Sequence, residues 1–297
     1  KEPLGLRGEV RDTLELLQRR GTALILGLRD VMDDPEALES EWERKQAVPA
    51  LAEYYDEIWV YGLPQICDPL AGLSVPRSVR ERMIYTGYLR RTAGELQLTP
   101  EILGVLDSEF LLVTPGGGGD GEALIDLVLS AYECDPDIPH PALLVFGPFM
   151  LPEQRAAFAS RAARLVNVRA ITFNTRLESL MARAAGVVAM GGYNTFCEIL
   201  SFNKRALIVP RTAPRLEQFI RTRRAAELGL LSMLSEEEGR DPQVMAAALR
   251  RLPQQPLPSA VDIPHLLDGM PAVNRLTRKW LDWGRAGCFA ARARFRT

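Results

Sequence analysis

Histidine is nearly missing from this 297-residue chain, which carries only His140 and His265. Neither has a convincing Ser or Cys partner, and both sit beside prolines in connector-like sequence, so hydrolytic triad chemistry is poorly supported. Cysteine is sparse as well: Cys67, Cys134, Cys197 and Cys288 are scattered, without the close pairs of a structural zinc site, and this reads as a reducing compartment with no metal. No apolar run approaches the ~20 residues that span a bilayer, and no signal peptide opens the chain. No excess of one charge is present either, with 36 basic against 38 acidic residues, which argues against nucleic acid as a partner. An initiator Met is lacking too. Lys1 leads directly into a helical pattern, so the sequence reads as one that begins partway through a longer protein.

What the chain does have is a 47% hydrophobic content, enough for a sizeable core and two ordinary domains. Short apolar runs alternate with helical patterns throughout. In the first half, strands are expected at Ala23 to Leu26, Ile58 to Tyr61 and Met83 to Thr86, with one or more helices between Glu36 and Tyr55. In the second half, strands are expected at Phe110 to Val113, Ala142 to Phe146, Val168 to Phe173, Val187 to Met190 and Ala206 to Val209. Helices over Glu122 to Tyr132, Pro152 to Val166, Leu177 to Ala185 and Thr195 to Leu200 separate them. Strands apolar along their whole length specify an α/β fold, with mostly parallel sheets covered on both faces.

Three features at the expected carboxyl ends of strands carry chemistry. Gly191 and Gly192 permit a sharp turn and close ligand approach; Tyr193 belongs to this turn, and Asn194 or Thr195 caps the helix that follows. A helix N-terminus there favours a phosphate, and Glu198, one turn on, is placed to accept from ribose hydroxyls; the plain alternative is an ordinary tight turn with a solvated Glu198. Gly116, Gly117, Gly118, Gly119, Asp120 and Gly121 form the second feature. It lacks the Gly-Lys-Ser/Thr ending of a P-loop and the spaced glycines of the dinucleotide fingerprint. Room for a ligand is the functional reading, a mobile linker the bland one. The third is Arg211, Glu217 and Gln218, with Arg215, Arg221, Arg223 and Arg224 nearby, where cations compensate phosphate charge and paired hydrogen bonds grip sugar hydroxyls. In the first half, Arg29, Asp30, Asp33 and Asp34 offer a base or a divalent-ion site, although capping of the helix entered at Pro35 explains Asp33 and Asp34 more cheaply.

On these residues the chain resembles the GT-B glycosyltransferases, in particular the MurG-like branch, most strongly from about Phe110 to Gly229. Gly192, Thr195 and Glu198 match that family's diphosphate- and ribose-holding turn. Val209-Pro210 followed by Glu217-Gln218 match its donor-sugar loop. The resemblance further implies that Phe173 and Asn174 touch the base and that Gly116 to Asp120 lie near the donor phosphates and acceptor. Arg221 stands where relatives commonly carry Asn, and Gly186 where an Asp usually ends the preceding helix.

Two Rossmann-like domains are thereby implied: a partial acceptor-side domain over 1–105, a sugar-nucleotide-binding domain over 106–268, and a basic, Trp-containing helix or tail over 269–297. The implied activity is transfer of a sugar from a nucleoside diphosphate donor to an acceptor hydroxyl, inverting and metal-independent. The acceptor is a small molecule, lipid or glycan, and no tightly bound cofactor is expected. Asp30 is a marginal candidate for the base, and the family's frequent base lies upstream of this chain. Trp280 and Trp283 read as packing anchors, with weak peripheral contact to anionic lipid as the alternative, consistent with a cytoplasmic protein at the inner face of the membrane. A sugar-nucleotide epimerase of the same fold and a nonenzymatic nucleotide-binding protein are the competing readings.

Overall fold

The computed structural model describes residues 2–94, 109–117, 119–173 and 176–285, so Gly118 and Asn174 lie outside the described residues. Two compact units emerge, Lys1–Leu89 with Ile263–Thr297, and Arg90–Asp262.

In the first unit β1 (Ile25–Arg29), β2 (Glu57–Tyr61) and β3 (Met83–Tyr85) form a parallel sheet in the order β1-β2-β3. The first strand starts later and runs longer than its apolar run suggests, because pairing of Ile25 through Arg29 with Glu57 through Tyr61 decides its extent. The helical stretch that follows is two helices. In α2 (Pro35–Arg44), Leu38 and Trp42 are buried one turn apart; in α3 (Ala47–Tyr54), Ala47, Ala50, Leu51 and Tyr54 are buried at helical spacing. Both follow α1 (Arg11–Arg19), whose Leu14 joins the same core.

Asp30, just past β1, is fully buried. Its carboxylate accepts from the Val31 amide at 2.7 Å and from the Tyr88 hydroxyl at 2.7 Å, which ties the end of β1 to the segment after β3. We therefore expect Tyr88→Phe to lower unfolding free energy by about 1–3 kcal/mol, because it removes one donor from a buried carboxylate; urea unfolding measures this, and an unchanged midpoint would dismiss the clasp.

In the second unit the alternation of apolar strand and helix builds β4 (Leu111–Thr114), β5 (Ala142–Val145), β6 (Val168–Ile171), β7 (Gly186–Ala189), β8 (Ala206–Ile208) and β9 (Ser232–Met233). They form one parallel sheet in the order β6-β5-β4-β7-β8-β9. β4, β5 and β7 are buried along their whole length, as strands covered on both faces must be. The four-residue α4 (Arg77–Arg80) lies in the first unit; α5 (Glu122–Cys134), α6 (Pro152–Ala162), α7 (Leu177–Arg183), α8 (Tyr193–Ser201), α9 (Glu217–Glu227), α10 (Glu236–Gly239) and α11 (Pro242–Arg251) belong to the second.

The expected strand ends at Phe146, Phe173, Met190 and Val209 lie beyond the ladders. These residues leave their strands at the carboxyl edge, where the chain turns into loops. α6 stops at Ala162 rather than Val166, which is 86% exposed. β9 escapes sequence reading because two residues are too few to show a period.

The terminal α12 (Gly269–Arg285) belongs to the first unit. Lys279 Nζ lies 3.3 Å from Glu57 Oε1, and the other oxygen of Glu57 accepts from Trp59 Nε1 at 2.8 Å. Trp280 is partly buried, and Met270 and Leu281 are exposed; the side chain of Trp283 lies outside the described residues. No helix among the described residues is long and apolar enough to cross a membrane.

Candidate functional site: a sheet edge at a topological switch point

In the sheet of the second unit, β4 and β7 are neighbours. Leu111 through Thr114 pair with Gly186 through Ala189. From β4 the chain proceeds to β5 and β6 on one side, whereas β7, β8 and β9 extend the sheet on the other. This reversal is the topological switch point at which open parallel sheets leave a crevice for ligands. The two glycine-containing turns singled out in the sequence are the exits of these two strands.

After β7, Gly191 has φ +80°, and a Cβ there would lie 2.6 Å from Thr222 Oγ1 and 2.8 Å from Ile208 Cγ2, so only glycine fits. α8 begins at Tyr193 with Gly192 as its N-cap, earlier than expected, so neither Asn194 nor Thr195 is the cap. The reason is local: Gly192 takes the extended conformation of an N-cap, and the Tyr193 ring is buried as the first helical residue. Gly192 has no side chain to accept from the first-turn N–H groups, so the helix end is left open to an external acceptor. A Cβ on Gly192 would meet nothing within 4 Å.

After β4, Gly116 has φ +83°, and its amide donates to Thr114 Oγ1 at 3.2 Å. The Gly117 carbonyl accepts from the Phe149 amide at 3.0 Å, and the ring of Phe149, a residue 73% exposed, lies beside Gly117. Phe149 was not singled out in the sequence, because one aromatic beyond a strand carries no periodic signal. Phe173, beyond β6, is 54% exposed.

The third cluster is brought to the same edge by Arg211, beyond β8. Its guanidinium pairs with Asp120 of the glycine-rich loop and with Glu217 Oε1 at 3.1 Å. Gln218 is buried, its amide oriented so that Nε2 donates to the Met190 carbonyl at 2.7 Å and Oε1 accepts from Arg211 Nε at 3.0 Å. Thus Asp120, Arg211, Glu217 and Gln218 form one network linking the exits of β4, β7 and β8. Glu217 Oε2 is buried and has no hydrogen-bond partner among the described residues.

Arg91 is a residue that sequence reasoning missed. Its amide donates to Ser201 Oγ at 2.9 Å and its Nη2 to Asn194 Oδ1 at 3.2 Å, while its buried Nε has no partner among the described residues. Asn194, Glu198 and Ser201 are spaced i, i+4, i+7 on α8, so Arg91 lies along the stripe that carries Glu198. Burial, and next the negative charge of Glu178 on α7, push the Glu198 carboxyl up to about 7, with Arg91 opposing. No sequence pattern links position 91 to a helix a hundred residues later. Arg223 and Arg224 pair with Glu227 on their own helix. Among the described residues, no group of three His, Cys, Asp or Glu side chains is arranged to hold a metal ion.

The sequence profile of the glycosyltransferase family 28 C-terminal domain matches residues 110–257. No curated protein sequence matches significantly. Among solved structures, the calicheamicin glycosyltransferase CalG4 is similar at 19% identity and TM-score 0.50, over 98% of this chain and 61% of that one. MurG of Acinetobacter baumannii is similar at 11% identity and TM-score 0.51, over 91% of this chain and 70% of that one. Phytolacca americana UGT2, complexed with UDP-2fluoro-glucose and pterostilbene, is similar at 12% identity and TM-score 0.54, over 91% of this chain and 74% of that one. The chain therefore spans 61% of the length of the calicheamicin enzyme, and at these identities the likeness is one of fold. With parallel sheets in both units, the chain has the fold of the GT-B glycosyltransferases, MurG among them, and its residues 110–257 match the glycosyltransferase family 28 C-terminal domain.

Proposed function

We propose that the second unit binds the nucleoside diphosphate part of a sugar donor, and that the protein transfers the sugar to an acceptor hydroxyl. The observation that carries this reading is the meeting of the Gly116–Asp120 loop and the Gly191–Thr195 turn at the switch point between β4 and β7. The diphosphate sits at the open N-terminus of α8, where backbone N–H groups and the helix dipole hold negative charge. Arg91 holds its guanidinium at that same first turn. A cation beside a helix N-terminus is unfavourable by itself, and an anion between the two relieves it. Glu198 accepts from ribose hydroxyls. The oxygen Oε2 of Glu217 accepts from a sugar hydroxyl, and Phe173 borders the base.

These dipoles and cations act on charge that grows on the diphosphate as the bond to the anomeric carbon breaks, a role that elsewhere falls to a metal ion. Direct attack by the acceptor hydroxyl, deprotonated by a base, gives inversion at the anomeric carbon.

Calorimetry with a panel of sugar nucleotides tests the reading; saturable binding to at least one donor, competed by its free nucleoside diphosphate, is expected, and no heat with any of them would end it. Incubation with donor and no acceptor separates a transferase, which at most hydrolyses the donor slowly, from an epimerase, which converts it. The Arg211 network gives a finer expectation. Asp120 is about half exposed in its pair with Arg211, and such pairs contribute about 0–1 kcal/mol. Diphosphate must compete with Asp120 for that guanidinium, so Asp120→Asn is expected to tighten nucleoside diphosphate binding by up to about fivefold. Weaker binding in that variant would show that Asp120 helps to hold the ligand.

A further inference from the structure

Arg221 lies one turn beyond Gln218 on α9 and is fully buried, an unusual place for a guanidinium. Its Nη1 donates to the Gly191 carbonyl oxygen at 3.1 Å, and its Cζ lies 5.6 Å from the centre of the Tyr193 ring. Gln218 donates to the preceding carbonyl, that of Met190, at 2.7 Å. Thr222, next to Arg221, packs so closely on Gly191 that no side chain fits there. Three residues of one helix face, Gln218, Arg221 and Thr222, thus grip two successive peptide units of the β7–α8 turn.

In a planar trans peptide the carbonyl and the following N–H point in opposite directions. Drawing the Met190 and Gly191 carbonyls toward α9 therefore turns the N–H groups of Gly191 and Gly192 away from it. The side of Gly192 on which a Cβ would stand is empty to 4 Å.

We propose that Arg221 is a positioning residue for the donor diphosphate: by holding the Gly191 carbonyl it aims the Gly192 N–H at the phosphates. This rests on the proposed donor site, and it adds a residue that touches no ligand. Its signature is selectivity for phosphate. Loss of Arg221 must weaken a nucleoside diphosphate and leave the corresponding nucleoside almost unaffected, whereas a merely structural role weakens both alike or neither.

The experiment compares the wild-type chain with Arg221→Met and Arg221→Lys by calorimetry, using UDP, dTDP, uridine and thymidine as probes, with thermal unfolding alongside. Expected are a 10- to 100-fold loss of diphosphate affinity in Arg221→Met, a change under about threefold for the nucleoside, and recovery of most of the loss in Arg221→Lys. Equal diphosphate affinity in wild type and Arg221→Met, or parallel losses for nucleoside and diphosphate, overturns the proposal while leaving the donor site standing. Should Arg221→Met not fold, pyrophosphate titration of the 15N-labelled wild type decides: the Gly192 amide must shift among the largest, and a Gly192 signal that stays put overturns the proposal. Wild type that binds neither nucleotide nor pyrophosphate overturns the donor site and the role of Arg221 together.

Discussion

Removing the Glu198 carboxylate by Glu198→Ala is expected to weaken nucleoside diphosphate binding about a hundredfold at pH 8. Two charge-assisted hydrogen bonds to ribose hydroxyls together contribute about 2–3 kcal/mol net. The effect depends on pH with a definite sign. The carboxyl titrates near 7, raised first by burial and next by Glu178, and lowered by Arg91. The charged, accepting form is thus the major one at pH 8 and the minor one at pH 6, and wild-type affinity is expected to fall roughly tenfold between them. Glu198→Gln should bind weakly at both pH values, with the slope gone.

Stability runs the other way. The folded-state pKa of Glu198 lies above its ordinary value of 4.5, so this group's contribution to stability is fully present below about pH 4.5 and is lost as pH rises through 7. Glu198→Gln is therefore expected to unfold at a higher temperature than wild type at pH 8 and at a similar temperature at pH 5. A variant that loses affinity and stability together at pH 8 would make Glu198 a structural residue rather than a ligand. Calorimetry and thermal unfolding at the two pH values read both quantities.

The second large effect concerns Gly191→Ala. The new methyl group must adopt φ near +80° and overlap both Thr222 Oγ1 and Ile208 Cγ2. Strain of about 1–2 kcal/mol from the backbone and a similar amount from overpacking give an expected loss of about 2–4 kcal/mol, together with loss of nucleotide binding as the turn shifts. Gly192→Ala is the control one residue away. Its φ is −56° and its Cβ meets nothing, so stability is expected to change by less than about 1 kcal/mol. Nucleotide binding should still fall, because the methyl group occupies the space through which the phosphates approach. If Gly192→Ala bound nucleotide as well as wild type, the anion would have to lie elsewhere. Urea unfolding and calorimetry on the two variants separate fold from site.

Much of this site was legible because glycine and helix starts leave local marks. The Gly191-Gly192 pair after an apolar run, and the glycine-rich loop after Phe110 to Val113, are turns in the structure where sequence places them. Glu198 is one turn into its helix as expected. The helix cap was misplaced by two or three residues, since a polar residue at a helix start is not distinguishable in sequence from one already inside its first turn. The roles around Arg211 were only half visible. That its partners are Asp120 and Glu217 depends on two strand exits 91 residues apart in sequence, and no local pattern encodes that separation.

The sequence by itself determined the kind of layers this protein builds. Strands without polar alternation must be covered on both faces, and helices of suitable length between them make those strands parallel. It also determined where the backbone turns sharply enough for a phosphate to approach. Only the tertiary structure decided which strands are neighbours, because apolar strands of similar length are interchangeable by local preference and their order follows from crossover and packing. That order brings β7 beside β4 and so joins the two glycine turns into one edge. Tertiary packing also laid Arg91 along the Glu198 stripe and pressed Arg221 beneath Gly191, turning residues that look like solvated cations in sequence into fixed side chains around the Gly191-Gly192 turn.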